Sequence, residues 1–194
     1  RASPTDTATS ALGGCIVVSD ETLPSTRHIF DTSLETPEGE RNWSINAIDL
    51  PKVIEEVWLV IGFSGKGSPT GKMVANVASL LSKFPEKFSE MEAISNITSA
   101  GLTALKAGNL EALGMAMDAC HERLKAIEVS NGSLDRMVEA VRPHSFGAKL
   151  TGAGGGGCMV ALTNDPKRVS EAIEVAGGTP IRTRLGSKGV HIVS

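Results

Sequence analysis

The sequence predicts an α+β fold, in which an antiparallel sheet carries helices on one face and follows the strand-rich tail of another domain. From Val57 onward, the expected elements run in the order strand, four helices, two strands, helix and two strands. That order favours antiparallel strands with the helices segregated on one face of the sheet. Residues 1–55 instead give short apolar strands separated by turn residues. We therefore predict two domains, at residues 1–56 and 57–194.

The first domain begins with turn chemistry at Ser3-Pro4-Thr5-Asp6, followed by small residues and a second turn at Gly13-Gly14. Because the chain begins at Arg1 without Met or a signal-like apolar segment, we expect it to be part of a longer protein. β-Branched and alternating apolar residues predict strands at 15–18, 28–30 and 43–50. The polar segment 31–42, which contains Pro and Gly, is predicted to be an exposed loop.

The second domain begins with the continuous apolar run 57–63, which is typical of a strand covered on both faces. Helices are predicted from Thr70, which would cap its helix, after Pro85, over 109–127, and from a Ser133 cap to Val141. In the third of these helices, Cys120 falls on the apolar stripe and is expected to be a small core residue. The remaining predictions are strands at 147–151 and 158–163, a helix from Pro166 to Gly177, and strands at 180–185 and 189–193.

Composition excludes several classes of partner. The formal net charge is −3, aromatic residues make up 4% of the chain and Tyr is absent, so neither a nucleic acid nor an anionic membrane is an expected partner. No apolar run approaches the length of a membrane span. Cys15, Cys120 and Cys158 are widely spaced, which argues against zinc or disulfide frameworks and favours a reducing compartment. The four histidines lack the spacing of metal ligands.

Residues 149–160, Lys-Leu-Thr-Gly-Ala-Gly-Gly-Gly-Gly-Cys-Met-Val, are the most informative stretch of the chain. Consecutive glycines lose much conformational entropy on folding, so they need a structural reason. A sharp loop between two strands supplies one, since there the backbone must turn tightly or approach another group closely. A flexible tether is the alternative, but tethers have polar flanks and these flanks are apolar.

A second glycine-containing segment, residues 64–72, looks at first like a phosphate-binding P-loop. Its spacing does not fit, because Lys66 stands where the motif needs glycine and Met73 replaces the required Ser or Thr. The segment is therefore interpreted as a polar loop that leads into a helix.

Taken together, these stretches resemble the small-metabolite kinases named for galactokinase, homoserine kinase, mevalonate kinase and phosphomevalonate kinase (GHMP kinases). The glycine-rich stretch is similar to the third signature motif of that family, and its Lys-Leu-Thr-Gly start and Gly-Cys end resemble the archaeal mevalonate kinase branch most. Residues 2–14 resemble the segment that carries the catalytic aspartate. Residues 70–77 resemble the loop and helix that carry a substrate-side threonine. The resemblance extends over nearly the whole chain and corresponds to the C-terminal part of such a kinase.

The resemblance implies the ferredoxin-like C-terminal domain of GHMP kinases, after a remnant of the N-terminal domain that binds ATP and carries catalysis. It implies ATP- and Mg²⁺-dependent phosphorylation of the primary hydroxyl of mevalonate in isoprenoid precursor synthesis. The expected location is the cytoplasm, and a homodimer is one possible assembly. The family's first lysine motif, phosphate loop and magnesium-binding glutamate would lie upstream of Arg1. We therefore expect no metal ligand in this chain, which alone should not bind ATP properly.

Site residues follow from the same resemblance. Asp6 is the catalytic candidate, which would accept the hydroxyl proton or hold the alcohol in line, although a carboxylate in a turn is more often a cap. Thr70 and Ser68 are the substrate-binding candidates. The candidate residues of the glycine-rich motif are Thr151, Gly152, Ala153, Gly154, Gly155, Gly156 and Gly157.

Three departures from the family leave the exact substrate open. Gly71 replaces a basic residue that is common after the matching threonine, although Lys72 is adjacent. Cys120-His121 stands where mevalonate kinases often carry an Asn-Gln pair, and Glu128 stands where they usually carry glycine. The alternatives are another GHMP kinase that acts on phosphomevalonate or a different small alcohol, and a non-catalytic sensor relative. Retention of Asp6 beside an intact glycine-rich motif argues against the sensor.

Overall fold

A computed structural model describes residues 4–20, 23, 26–36 and 39–191 of the chain. The chain separates into two compact units, Arg1–Glu55 with Leu185–Ser194 and Glu56–Arg184. Residues 185–194 therefore group with the first unit, whereas the prediction placed them in the second domain. The reason is local pairing within the first unit, where the Gly14 amide donates to the Ser187 carbonyl at 2.8 Å and Gly13 bridges Lys188.

The first unit is built on a three-stranded antiparallel sheet. Its elements are α1 (Thr5–Leu12), β1 (Cys15–Ser19), β2 (Arg27–Thr36), β3 (Gly39–Ile48) and α2 (Lys52–Glu56). The strand order is β1-β3-β2, so that Cys15 lies opposite Ile48. Ala8 of α1 and the apolar end of β3, including Ile45 and Ala47, are buried.

Two predictions for the first unit are wrong. The turn and small residues expected after Pro4 form the helix α1, which begins where the Ala8 amide donates to the Pro4 carbonyl. Within the loop expected over 31–42, residues 31–36 and 39–42 belong to the paired strands β2 and β3, and residues 37 and 38 lie outside the described residues. The exposed Asp31, Ser33 and Glu35 alternate with the half-buried Thr32 and Leu34, and a period of two residues is that of a strand.

The second unit confirms the predicted fold class. Its helices and strands are β4 (Trp58–Phe63), α3 (Thr70–Lys83), α4 (Phe88–Ala107), α5 (Leu110–Ala126), α6 (Gly132–Val141), β5 (Gly147–Thr151), β6 (Cys158–Thr163), α7 (Pro166–Val175) and β7 (Thr179–Arg184). The four strands form an antiparallel sheet in the order β5-β6-β4-β7. Helices α5, α6 and α7 pack on this sheet.

The core of the second unit lies between its sheet and its helices. Leu150 and Met159 come from neighbouring strands, and Leu134, Val138 and Ile173 meet them from α6 and α7. The expectation that the 57–63 strand is covered on both faces is wrong. Alternate residues of β4 are only half-buried, so only one of its faces is fully in the core.

Helix starts differ from the predicted caps. Asn131, not Ser133, caps α6, and its side chain accepts hydrogen bonds from the Ser133 and Leu134 amides. Thr70 is the first residue of α3, and the preceding Pro69 provides no side-chain cap. The strand predicted over 189–193 is also wrong for its described part, since residues 189–191 are not in a strand, and residues 192 and 193 lie outside the described range. Among the described helices, none is long and apolar enough to cross a membrane.

Candidate functional site

The glycine-rich run is a sharp loop between two antiparallel strands, as predicted. Strands β5 and β6 pair up to Thr151 opposite Cys158, and residues 152–157 connect them. The backbone φ angle is positive at Gly152, Gly154, Gly155, Gly156 and Gly157. Residues with a Cβ rarely adopt this left-handed region, so the conformation itself selects glycine.

Three of these glycines are also required by close packing. A Cβ on Gly154 would lie 2.0 Å from the Val129 carbonyl oxygen, and one on Gly156 would lie 2.5 Å from the Lys66 carbonyl oxygen. A Cβ on Gly155 would lie 2.6 Å from the sulfur of Met73. The close approach expected from the sequence is therefore made to other parts of the protein itself.

Hydrogen bonds fix the loop between two neighbouring segments, residues 64–69 and residues 129–131. The Gly155 amide donates to the Val129 carbonyl at 2.8 Å, and the Gly157 amide donates to the Lys66 carbonyl at 2.6 Å. The Ser68 hydroxyl donates to the Gly155 carbonyl at 2.8 Å. The loop is thus held in one shape from both sides.

The start of the loop is its open side. Thr151 and Gly152 are exposed, and nothing lies within 4 Å of where a Cβ of Gly152 would be. Gly157 has the same open surroundings at the other end of the loop. Backbone that is exposed and free of side chains can approach an anion closely, as phosphate-binding loops do.

The two predicted substrate residues differ in their surroundings, and only Ser68 contacts the loop. Ser68 is half-buried and already uses its hydroxyl to hold Gly155. Thr70 is exposed at the N-terminus of α3, with the exposed Lys66 and Lys72 on either side of it in sequence. A hydroxyl and two cations near a helix N-terminus suit an anionic ligand.

The catalytic candidate Asp6 lies in the first turn of α1, where it is exposed. It belongs to the first unit, whereas Ser68, Thr70 and the glycine-rich loop belong to the second. The convergence of Asp6 with the other candidates remains a prediction. The residues before Pro4 that took part in the resemblance, Ala2 and Ser3, lie outside the described residues.

Sequence reasoning missed one polar cluster close to the loop. It noted for His121 only the lack of metal-ligand spacing and the departure from the family pattern, and it placed Cys120 on the apolar stripe of α5. In the structure Cys120 is only half-buried, while His121 is 1% exposed and turns toward the sheet. The Leu150 amide donates to His121 Nδ1 at 3.3 Å, and His121 Nε2 lies 3.3 Å from Asp135 Oδ1. The signal available in the sequence was the spacing of Gly114, Asp118 and His121, which puts them on one helix face.

Asp118 and His121 together cap the outer edge of β5. Asp118 Oδ1 accepts the Ala148 amide at 2.9 Å, just as His121 accepts the Leu150 amide two residues further on. The helix can come this close because residue 114 is glycine, since a Cβ there would lie 1.9 Å from the Phe146 carbonyl oxygen. Burial lowers the pKa of His121 below its usual range, against the opposing attraction of Asp135 and Glu122.

Glu128, a departure from the family pattern, has an unusual backbone conformation. Its φ angle of 62° makes it the one non-glycine residue with positive φ in the described part of the chain. The backbone here takes the left-handed conformation that usually ends a helix with glycine. The chain keeps this conformation although the glycine is absent.

Metal ligands are a separate question. In the ranges that the structure covers, no three His, Cys, Asp or Glu side chains group closely enough to hold a metal ion.

With this geometry in place, the comparisons identify the class of domain. Residues 102–178 match the family described as GHMP kinases C terminal. The matched range includes α5, α6, the glycine-rich loop and both of its flanking strands. The second unit of this chain therefore carries a GHMP kinase C-terminal domain, which confirms the family resemblance.

The individual relatives and solved structures that resemble the chain include mevalonate kinases. Mevalonate kinase from Pyrococcus furiosus is 37% identical over 145 residues, which are 71% of this chain and 43% of that protein. The solved structure of Methanococcus jannaschii mevalonate kinase is 30% identical, with a TM-score of 0.60 over 73% of this chain and 44% of that one. L. major mevalonate kinase, solved in complex with R-mevalonate, is 27% identical with a TM-score of 0.64 over 69% of this chain and 44% of that one. The chain thus spans less than half the length of these relatives.

Proposed function

We propose that this chain works in an ATP-dependent kinase that phosphorylates the primary hydroxyl of mevalonate, in the synthesis of isoprenoid precursors. The observation that carries the proposal is the glycine-rich loop, which is fixed on both sides and open at Gly152, inside a domain similar to that of mevalonate kinases. Phosphoryl transfer depends on positioning and charge stabilisation, and a loop held in one shape supplies the first of these.

Each candidate residue has a defined role in this proposal. The open backbone of the loop faces the phosphate groups, with Ser68 fixing the loop through Gly155. Thr70 donates a hydrogen bond to the acceptor, and Lys66 and Lys72 attract its carboxylate. Asp6 accepts the proton as the hydroxyl oxygen forms its bond to the γ-phosphorus, while the bond to the β-phosphate oxygen breaks and ADP leaves. The Mg²⁺ dependence, the cytoplasmic location and a homodimer remain predictions.

The direct test is an ADP-release assay on the whole gene product, with mevalonate, phosphomevalonate, homoserine and galactose compared as acceptors. We expect the highest kcat/KM for mevalonate, with 5-phosphomevalonate as the product. If another acceptor is preferred, the substrate assignment is wrong. If ADP is released with none of the acceptors, the kinase proposal itself fails, and the alternative of a non-catalytic sensor is favoured.

The Asp6→Asn variant tests the catalytic role. Removing a positioned proton acceptor typically lowers kcat by about 10²–10⁴-fold, with the affinity for ATP unchanged. Asp20→Asn is the matched control, because Asp20 is an exposed carboxylate of the same unit and carries no predicted role. A kcat for Asp6→Asn equal to that of the control would remove Asp6 from the mechanism.

A further inference from the structure

The buried His121 joins the two segments that lead to the glycine-rich loop. On one side its Nδ1 accepts the amide of Leu150, two residues before Gly152. On the other side its Nε2 meets Asp135 Oδ1, the same oxygen that accepts the Ser130 hydroxyl at 2.5 Å. The imidazole therefore links β5 to the 129–131 segment through a continuous chain of polar contacts.

The contacts select one form of the ring. The Leu150 amide is a donor, so the Nδ1 atom that faces it must carry a lone pair and no proton. Nε2 must then carry the hydrogen and donate to Asp135, which is the pattern of a neutral Nε2–H imidazole. Because His121 is almost fully buried, water cannot replace a lost partner at either nitrogen.

Both polar contacts of His121, to Leu150 and to Asp135, lead to residues next to the glycine-rich loop. Leu150 lies in the strand that ends at Thr151, where the loop begins. Ser130 follows Val129, whose carbonyl accepts the Gly155 amide and lies where a Cβ of Gly154 would be. A change at His121 therefore acts on the entry of the loop and on its middle at the same time.

We propose that neutral His121 is a positioning residue for the glycine-rich loop, and that protonation of this imidazole releases the loop. Protonated His121 would turn an N–H toward the Leu150 N–H, so that two donors face each other. The charged groups around the ring are Asp135 on α6, Glu122 and Lys125 on α5, and Arg142 after α6. The effect on the loop stands on geometry alone, while its effect on catalysis rests on the proposed kinase function.

The sign of the pH effect follows from burial. The pKa of His121 is lowered in the folded protein, so the unfolded chain takes up the proton first, at about pH 6.5. The contribution of neutral His121 to stability is complete above that pH. It is lost as the pH falls through the lower pKa of the folded state.

The test follows the Gly155 and Gly157 amide signals by NMR in the ¹⁵N-labelled full chain, from pH 8 down to the lowest pH at which the chain stays folded. We expect both signals to move together in the wild type, with a midpoint below the usual pKa of a histidine, because burial lowers the pKa of His121 in the folded protein. His121→Gln should keep the loop signals at their neutral positions throughout, since its amide can accept from Leu150 and donate to Asp135 but does not titrate. His144→Gln is the matched control, an exposed histidine of the same unit, and should titrate like the wild type.

The catalytic arm uses the whole gene product. His121→Leu leaves the Leu150 amide unsatisfied, so kcat/KM should fall about tenfold at pH 8, and His121→Gln should restore it. Gly155 and Gly157 signals that ignore pH in the wild type, or that titrate equally in His121→Gln, would overturn the positioning role even if His121→Leu fails to fold. If the loop signals behave as expected but no acceptor is phosphorylated, the proposed kinase function falls and the positioning role stands.

Discussion

Adding one methyl group at each of two loop glycines separates backbone strain from packing. Gly154 and Gly157 have nearly the same φ, 81° and 82°. An alanine at either position is held in the left-handed region, which costs about 1–2 kcal/mol. Only at Gly154 does the new Cβ meet another atom, since it would lie 2.0 Å from the Val129 oxygen, while nothing lies within 4 Å at Gly157.

The expected difference is therefore the cost of the clash alone. Forcing extra atoms into packed surroundings typically costs about 1–3 kcal/mol, so Gly154→Ala should be less stable than Gly157→Ala by about that amount. Urea unfolding at constant m-value measures the difference. In the whole gene product, kcat/KM should also fall further for Gly154→Ala, because the displaced Val129 carbonyl no longer accepts the Gly155 amide. Equal losses of stability in the two variants would refute the packing account of the loop.

Two further substitutions test neighbouring contacts. Glu128→Gly removes the strain of a left-handed residue, about 1–2 kcal/mol, but glycine also has greater freedom in the unfolded chain, which costs about 0.4–1 kcal/mol. Urea unfolding should therefore show a small net increase in the free energy of unfolding. A decrease would mean that the Glu128 side chain makes a stabilising contact. Ser68→Ala removes the hydrogen bond to the Gly155 carbonyl and should lower stability by about 1 kcal/mol and reduce kcat/KM in the ADP-release assay. An unchanged kcat/KM would show that the remaining hydrogen bonds of the loop are sufficient, and that Ser68 contacts no substrate.

The sequence predicted the second unit well because its signals are local. The helices α3, α4, α5 and α7 follow from periodic apolar residues and nearby Pro, Gly or Asn, and the glycine run lies between two short apolar strands. The first unit was harder to predict, because strands β2 and β3 are largely polar. In β2 the alternation of a strand appears only in the structure, where every second residue is half-buried. A strand formed by residues such as Asp31, Ser33 and Glu35 has the composition of a loop, and only its pairing with β3 distinguishes the two.

The conformation of the glycine-rich run was predicted from the sequence, but the contacts that require glycine in it were not. The glycine run was recognised from its composition, yet the atoms that require glycine, such as the carbonyl oxygens of Lys66 and Val129, are distant in sequence. His121 was missed for a related reason. The apolar stripe of α5 includes Cys120, and no pattern within α5 shows that Asp118 and His121 meet a strand edge.

The glycines of the motif fall into a packed group and an open group, and this difference restricts where a ligand can bind. The packed group is Gly154, Gly155 and Gly156. Atoms of Val129, Met73, Ser68 and Lys66 occupy the space that side chains at these positions would need. Gly152 and Gly157 have no such neighbour, and Gly152 is exposed at the start of the loop. A phosphate group that uses the loop therefore has to approach one of its two open ends, of which the exposed Gly152 is more accessible than the half-buried Gly157. The packed glycines act indirectly, because they hold that exposed turn in a shape fixed before any ligand arrives, which lowers the ordering cost of binding.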